Sequence, residues 1–426
     1  MVQRTGAGQR SLWANRALLQ ALRMPAGVRL GVRVGNDPPT VRLGPIVGIF
    51  TTRGRRSLFG GQTPIVREMT RLAATQGVLA FAFTPGSVDW ERGTVRGYTF
   101  SGSRGRWRRG HFPFPDAVYN RIPSRQAERR PPVAATAARL EQALGSRYFN
   151  PSFLDKWETY QALMGEPRIR PLLPETHRYQ GVPIVLGMLD RHRVVFLKPT
   201  GGSQGRGIIR VLRRWPEQYL WQFQGPRSVR TGEAVGAAGL ARALARLMRG
   251  RKYLAQEGLD LARVGTRPFD VRILMQRDES GHWRRTKLFA RVGSYGGITS
   301  NISAGGTGEP LARVVPIALA RARPARRRET ARRLRDVSTW LPPLVESALG
   351  VTLGELGLDL GVDRTGQIWL IEVNSRPWRN VTTERGSMAL VRLALVRPLA
   401  YARHLAGFAE EPVERAGGAG EVGVSQ

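Results

Sequence analysis

Residues 358–377 read LDLGVDRTGQIWLIEVNSRP, and the choice of fold turns on this stretch. An apolar strand ends near Val362, Asp363-Arg364-Thr365-Gly366 supplies turn chemistry, and alternating apolar positions resume over residues 367–373. The expectation is a β-hairpin with Asp359 on one strand and Glu372 and Asn374 on the other. Glu372 and Asn374 are two residues apart and so share a face. Three hard oxygen donors on one face, two of them anionic, suit Mg²⁺ shared with substrate phosphates, with Mn²⁺ as an alternative ion. A surface hairpin with scattered polar residues has the same local pattern, so the decision passes to the sequence upstream.

There, residues 193–208 read RVVFLKPTGGSQGRGI. A strand over 194–197 closes on Lys198; Gly201, Gly202, Ser203, Gln204, Gly205 and Gly207 then form a flexible loop before a strand over 208–212. A Gly-rich loop between antiparallel strands, with Lys at its base, can fold over phosphates and donate backbone N–H groups. It is not a Walker loop, because no GK[ST] and no helix follow; a mere mobile turn is the other reading. Asp155 is placed to cap a helix over 156–164. Residues 212–251 are mostly polar, then helical over 239–248. YLAQEGL (253–259) is a short strand ending in Gln256, Glu257 and Gly258. PFDVRILMQ (268–276) sets Asp270 and Arg272 on one face, lining either a cleft or an exposed polar surface. Its partner strand over 285–292 carries Lys287 and Arg291. ITSNISAGG (298–306) is a glycine-flanked turn around Asn301, and residues 325–349 are helical with a break expected at Pro342-Pro343.

Nearer the start, a strand over 46–51, a turn at Gly60-Gly61, a helix over 64–76 and a strand over 78–83 make a β-loop-α-β unit, hence a small α/β domain with a parallel sheet. Gly60-Gly61 is a plain turn or an anion seat at a helix start. Residues 98–109 look like a Gly/Ser/Arg-rich connection. A strand over 116–119 leads into Asn120, Arg121 and Arg125. Polar groups just beyond a strand's C-terminal end are where open α/β sheets bind ligands. These three are candidates for gripping a carboxylate- or phosphate-bearing substrate; the alternative is loop arginines in an Arg-rich chain.

Composition narrows the chemistry. The chain has 426 residues, enough for two to three domains, and no cysteine, which excludes disulfides, thiolate metal sites and Cys nucleophiles. Its five histidines show no ligand spacing, which argues against zinc. The net charge is +35, yet only four of the 67 basic residues are lysines (Lys156, Lys198, Lys252, Lys287) and the arginines are spread throughout. That distribution argues against a specific nucleic-acid function, leaving salt-sensitive binding to polyanions. Where Arg is written almost everywhere, a retained Lys suggests a needed point charge. No apolar run reaches membrane-span length and no secretory signal is evident, so a cytoplasmic protein is expected.

In this order, DKWETYQAL, FLKPTGGSQGRGI, AQEGL, RPFDVRILMQ, ARVG, SNISAGG, ELGLDLGVD and IWLIEVNSRP resemble the ATP-grasp superfamily. FPDAVYNRIPSR makes the chain most similar to the YheC/YheD group, described as endospore coat-associated, rather than to ribosomal-protein-modifying ligases. The resemblance implies an α/β (α+β) ATP-grasp fold with a Rossmann-like pre-ATP-grasp domain at 45–150. It further implies a lid subdomain at 151–255 and a Mg-binding C-terminal subdomain at 256–408. A lead (1–44) and a disordered tail (409–426) flank these. It implies that Lys156 and Lys198 hold the α- and β-phosphates of ATP and that the loop over 201–207 closes on the triphosphate. Gln256, Glu257 and Leu259 would line the adenine and ribose. Arg272 and Arg291 would steady the transferring phosphoryl group, and Asp359, Glu372 and Asn374 would ligate one or two Mg²⁺. The turn between Asp359 and Glu372 is one residue longer than in the ribosomal-protein ligases, which makes Asp363 a rival ligand. The implied reaction activates a carboxylate as an acylphosphate, which an amine or another nucleophile then attacks. The alternative is a spore-coat or morphogenetic protein that keeps the fold without turnover.

Overall fold

The computed structural model describes all residues except 1, 5–9, 13–15, 25–29, 37–38, 102–104, 202–205, 226–227, 295–305, 378–386 and 409–426. Three large sheets organise it. In the first, the strands Tyr148–Phe149, Ala117–Asn120, Ile46–Phe50 and Leu79–Phe83 run parallel, as the β-loop-α-β pattern requires. The helix Thr63–Thr75 makes the crossover, with Pro64 in its first turn, where a missing N–H costs nothing. Its buried face (Ile65, Val66, Met69, Leu72) packs on Val47 and Ile49. Leu395 and Leu399 of the C-terminal helix Met388–Leu405 join the same cluster. The opposite face is closed by Val133, Leu140 and Leu144 of the helix Pro131–Leu144 against Ile46, Phe50 and Phe83. Gly60-Gly61 begins a short 3₁₀ turn leading into the helix.

The region read as a Gly/Ser/Arg connection is a hairpin, Thr94–Ser101 with Arg106–Pro113, antiparallel at the edge of this sheet. Four arginines (Arg96, Arg106, Arg108 and Arg109) and few fully buried positions hide its strand period. The same happens at Gln218–Gln224 and Val229–Val235, two strands inside the stretch taken as polar.

The second sheet is antiparallel, in the order Thr176–Arg178, Tyr253–Glu257, Val194–Pro199, Ile209–Trp215, Gln218–Gln224, Val229–Val235. The helices Val182–Arg191 and Gly236–Met248 cover one face, through Val185, Met188, Leu240, Leu244 and Leu247 on Val195, Leu197, Ile209 and Val211. Alternation then turns Phe196 and Lys198 to the other, open face. The third sheet runs Thr307–Glu309, Trp283–Val292, Arg267–Arg277, Glu355–Val362, Ile368–Asn374, with Arg263–Val264 beside Arg267–Arg277. The helix Pro324–Leu349 covers it without a break: Pro342 lies inside, and the buried row Leu334, Val337, Leu341, Pro342 and Val345 on the sheet outweighs the lost helical hydrogen bonds. Among the described residues no helix is long and apolar enough to cross a membrane.

Candidate nucleotide and metal site

The hairpin forms as expected, Glu355–Val362 with Ile368–Asn374. Asp359 pairs with Glu372 and Gly357 with Asn374, but Leu360 pairs with Leu370, so Ile371 is an extra residue, a β-bulge beside the acidic pair. The bulge lets Ile371 and Glu372, neighbours in sequence, both reach one cleft between the second and third sheets. Lys156, Lys198, Asp270, Arg291, Asp359 and Glu372 make its charged end, and Phe196, Ile208, Leu254, Leu259, Leu261 and Ile371 add apolar wall, with Leu254 the register partner of Lys198 and Ile371 beside Glu372.

The charged end is organised by opposite charges. Asp359 stands across from Arg272 in the strand register and makes an ion pair to it at 2.7 Å; Arg291 reaches Asp359 at 3.0 Å and grips Asp270 with two hydrogen bonds of 2.6 and 2.5 Å. Lys156 pairs with Glu372 at 3.2 Å. That lysine opens the helix Lys156–Met164, which Asp155 caps by accepting from Trp157 and Glu158 N–H. Lys198 donates to Gln256, whose amide donates on to Thr176 at 2.8 Å. Burial, with repulsion from Lys156, pulls the Lys198 ammonium down to about 8 against Glu372 and Asp359. Burial raises the Asp359 carboxyl despite Arg272 and Arg291, with Asp270 and Glu372 adding to the rise. Burial acts upward on Glu372 too, but Lys156, Arg272 and Lys198 outweigh it and hold that carboxyl below its usual range. Arg291 is raised: burial works against it, and Asp359 and Asp270 prevail.

A dication fits this donor set. The Asp359 carboxylate reaches the cleft wall as a buried anion between Arg272 and Arg291. Two carboxylates and an amide are hard oxygen donors on adjacent strands. Gly357 keeps the approach open, since a Cβ there would lie 3.1 Å from Arg272 Nη1 and 3.5 Å from the Asn374 Cβ.

The cleft therefore brings together Lys156, Lys198, Gln256, Glu257, Leu259, Asp270, Arg291, Asp359 and Glu372, with Arg272 in contact with Asp359 and Asn374 opposite Gly357. Gly201 follows the Val194–Pro199 strand, and Gly207 takes a positive φ of 78°, with its carbonyl accepting from the Tyr253 hydroxyl at 2.8 Å. Gly202, Ser203, Gln204, Gly205 and Asn301 lie outside the described residues.

Three expectations are corrected. Asn120 is 1% exposed and donates to Tyr148 and Pro151 while accepting from Ile122 N–H; Arg121 is 2% exposed and paired with the fully buried Glu355 at 3.1 Å and with Gln62. Neither has a face left for a substrate. Asp363 is no rival ligand, because its carboxylate accepts from Thr365, Gln367 and Trp369 and so fastens the turn. Arg125 is different: it lies half-buried over the Phe153 ring, where burial pulls its guanidinium below the usual value against Asp155, Glu372 and Glu128.

Sequence reading missed Asn150. Its side chain donates to the Glu355 and Ser375 carbonyls and accepts from Gly354 N–H, clamping both strands of the hairpin at the end near the first sheet. Only the Asn150-Pro151 step marks it in the sequence; its burial and positive φ of 54° appear with the fold. Tyr160 and Arg206, also on the cleft wall, carried none.

A family model described as YheC/D like ATP-grasp matches residues 145–405. The endospore coat-associated protein YheD of Bacillus subtilis (strain 168) is 27% identical over 369 residues, 86% of this chain and 80% of the relative. YheC of the same organism, also named endospore coat-associated, is 22% identical over 321 residues, 73% and 84% of the two chains. Among solved structures, that of the D-cycloserine synthetase DcsG aligns with a TM-score of 0.45 at 16% identity, covering 83% of this chain and 99% of its own.

Proposed function

The chain belongs to the YheC/D-like ATP-grasp family, and on that footing we propose that it is an ATP- and Mg²⁺-dependent ligase. It activates a carboxylate and joins it to an amine or related nucleophile. The observation that carries this reading is one cleft in which Lys156 and Lys198 stand with Asp359 and Glu372 among apolar walls. A nucleotide needs both, charge for its triphosphate and apolar surface for its base.

In this reading Lys156 and Lys198 hold the α- and β-phosphates, and the loop over 201–207 closes on the triphosphate with backbone N–H groups. Leu259 and Gln256 border the adenine, and Glu257 the ribose. Asp359, Glu372 and Asn374 hold one or two Mg²⁺, or Mn²⁺ in their place; the ion, when bound, neutralises phosphate charge. Arg291, fixed by Asp270, and Arg272 face the developing charge on the transferring group. Asp270 thus positions Arg291 instead of meeting substrate. Arg125 is the grip on the acid, with Asn301 as a further substrate contact. In the first step a carboxylate oxygen bonds to the γ-phosphorus and ADP leaves. In the second the nucleophile bonds to the acyl carbon, phosphate leaves and the amine loses a proton. No Cys or His nucleophile is required. The first sheet and its helices (45–150) serve as the pre-ATP-grasp domain, 151–255 as the lid and 256–408 as the metal-binding part. The partners are ATP, the acid and the nucleophile, without specific nucleic acid, in the cytoplasm.

The test is incubation with Mg-ATP, a pool of carboxylic acids and hydroxylamine as a generic nucleophile. Acid-dependent ADP release with hydroxamate formation is expected; absence of nucleotide binding overturns the proposal. A second reading is favoured by the names of the two Bacillus relatives: a coat-associated protein that binds ATP without turning it over. It predicts binding without ADP release for every acid.

A pH dependence follows from Lys198. Phosphate binding needs the ammonium form, and in the free protein that form is lost above about 8. Nucleotide affinity should be full below pH 8 and fall above it, by up to about tenfold per pH unit, with proton uptake on binding. Titrations from pH 7 to 9.5 check this, and Lys198→Arg should flatten the fall.

A further inference from the structure

Thr176 and Gln256 line the cleft from neighbouring strands, Thr176–Arg178 and Tyr253–Glu257, and are register partners. On its other side Gln256 is paired with Phe196, two residues before Lys198 and on the same face. The polar side chains form a run of hydrogen bonds that ends on the ammonium. The Thr176 hydroxyl donates to the Pro174 carbonyl at 2.9 Å, and its oxygen accepts from Gln256 Nε2 at 2.8 Å; Gln256 Oε1 accepts from Lys198 Nζ. The outer end of the run is buried and fixed, with Thr176 4% exposed and its backbone N–H donating to the Tyr160 hydroxyl at 3.2 Å.

The direction of this run is forced. A carbonyl only accepts, so the Thr176 hydroxyl gives its one proton to Pro174 and offers a lone pair to Gln256. The Gln256 amide must then turn its N–H groups to Thr176 and its oxygen to Lys198. Turned over, it would set N–H against the ammonium and oxygen against oxygen. The two cleft lysines are therefore held differently. Lys156 is paired with Glu372 at 3.2 Å, whereas among the described residues no carboxylate is in ion-pair contact with Lys198. An amide oxygen steers the ammonium without neutralising it, which leaves its whole point charge for a phosphate.

We propose that Thr176 is a positioning residue for Lys198, fixing the Gln256 amide so that its oxygen holds the ammonium ready for the nucleotide's phosphates. This rests on the nucleotide reading above. A lysine that is already held loses less side-chain entropy when a phosphate arrives.

The test compares Mg-ADP with adenosine, which lacks the phosphates, by competition against a fluorescent ADP analogue on the full chain. Thr176→Val, or Thr176→Ala where the branched chain does not fold, should weaken ADP by about tenfold, the worth of leaving a buried amide N–H unpaired, with adenosine unchanged. Thr176→Ser, which keeps the hydroxyl, should bind both as wild type does. In a Lys198→Ala background, Thr176→Val should cost ADP nothing more, because the group it positions is gone. The inference is overturned if the hydroxyl-free variants keep wild-type ADP affinity, or weaken ADP and adenosine equally as a merely structural residue would. It is equally overturned if Thr176→Ser is as weak as Thr176→Val, or if Thr176→Val costs as much without Lys198 as with it. Wild type that binds no nucleotide overturns the nucleotide reading itself, and this inference with it.

Discussion

Glu372→Gln is expected to cut acid-dependent ADP release by about 10²–10³-fold, the range for removing one preorganised electrostatic group from a catalytic site, with the fold intact. The substitution keeps the side chain's shape and removes only its charge. That charge is defined by its surroundings: Lys156 at 3.2 Å, with Arg272 and Lys198, keeps the carboxyl ionised although burial opposes it. In the proposed mechanism it both holds the metal and balances the two lysines. Its loss therefore acts on the phosphate charge, which the ground and transition states share unequally, so kcat should fall further than KM rises. Steady-state ADP release with a parallel thermal melt checks this. An unchanged rate would remove Glu372 from the site, and with it the acidic half of the cleft. A large fall in melting temperature alongside the lost rate would mean that the charge serves the fold.

The second large effect is on stability. Arg121→Met should destabilise the protein by about 3–5 kcal/mol, because it removes one partner of a buried ion pair. Glu355 is fully buried, with Arg121 at 3.1 Å, and its oxygens also meet the Tyr119 hydroxyl and the Gln276 amide. The same group ties the first sheet to the third, since Tyr119 and Arg121 lie at the end of one and Glu355 opens the strand that carries Asp359. Adding Glu355→Gln to Arg121→Met should recover part of the loss, as the acid that remains becomes a neutral amide. Urea unfolding of the two single variants and the double variant measures it. A raised KM for the acid at unchanged stability would instead return Arg121 to the substrate.

The sequence showed the hairpin because each level agreed there: the Asp363 turn, the alternation of Leu358, Leu360 and Val362, and Asp359 and Glu372 placed where the two strands meet the cleft. Lys156 was legible through its cap, Asp155, and Lys198 through the glycines after it. Arg121 was misread because its partner, Glu355, is 234 residues away along the chain, and Asn120 because the Tyr148 hydroxyl and Pro151 carbonyl that take its amide lie 28 and 31 residues on. Nothing local distinguishes an arginine aimed at a substrate from one aimed at an internal acid. The Asn150 clamp spans 205 residues to the Glu355 carbonyl and was hidden for the same reason. Period failed where arginine filled the solvent face of edge strands, as at Arg106–Pro113, and proline rules failed where Pro342 is packed into the core. The histidines were dismissed as scattered; the fold brings His177 and His192 to one carboxylate from positions that sequence spacing does not relate.

The central claim is that one cleft binds a nucleotide and a divalent ion together. Calorimetric titration of ADP into the full chain, with Mg²⁺ and then with the ion chelated, tests it most directly. The account predicts binding at least about tenfold tighter with Mg²⁺, a gain that disappears in Glu372→Gln because the shared ligand is gone. ADP binding with equal affinity in both conditions, or with the Mg²⁺ gain intact in Glu372→Gln, would contradict it.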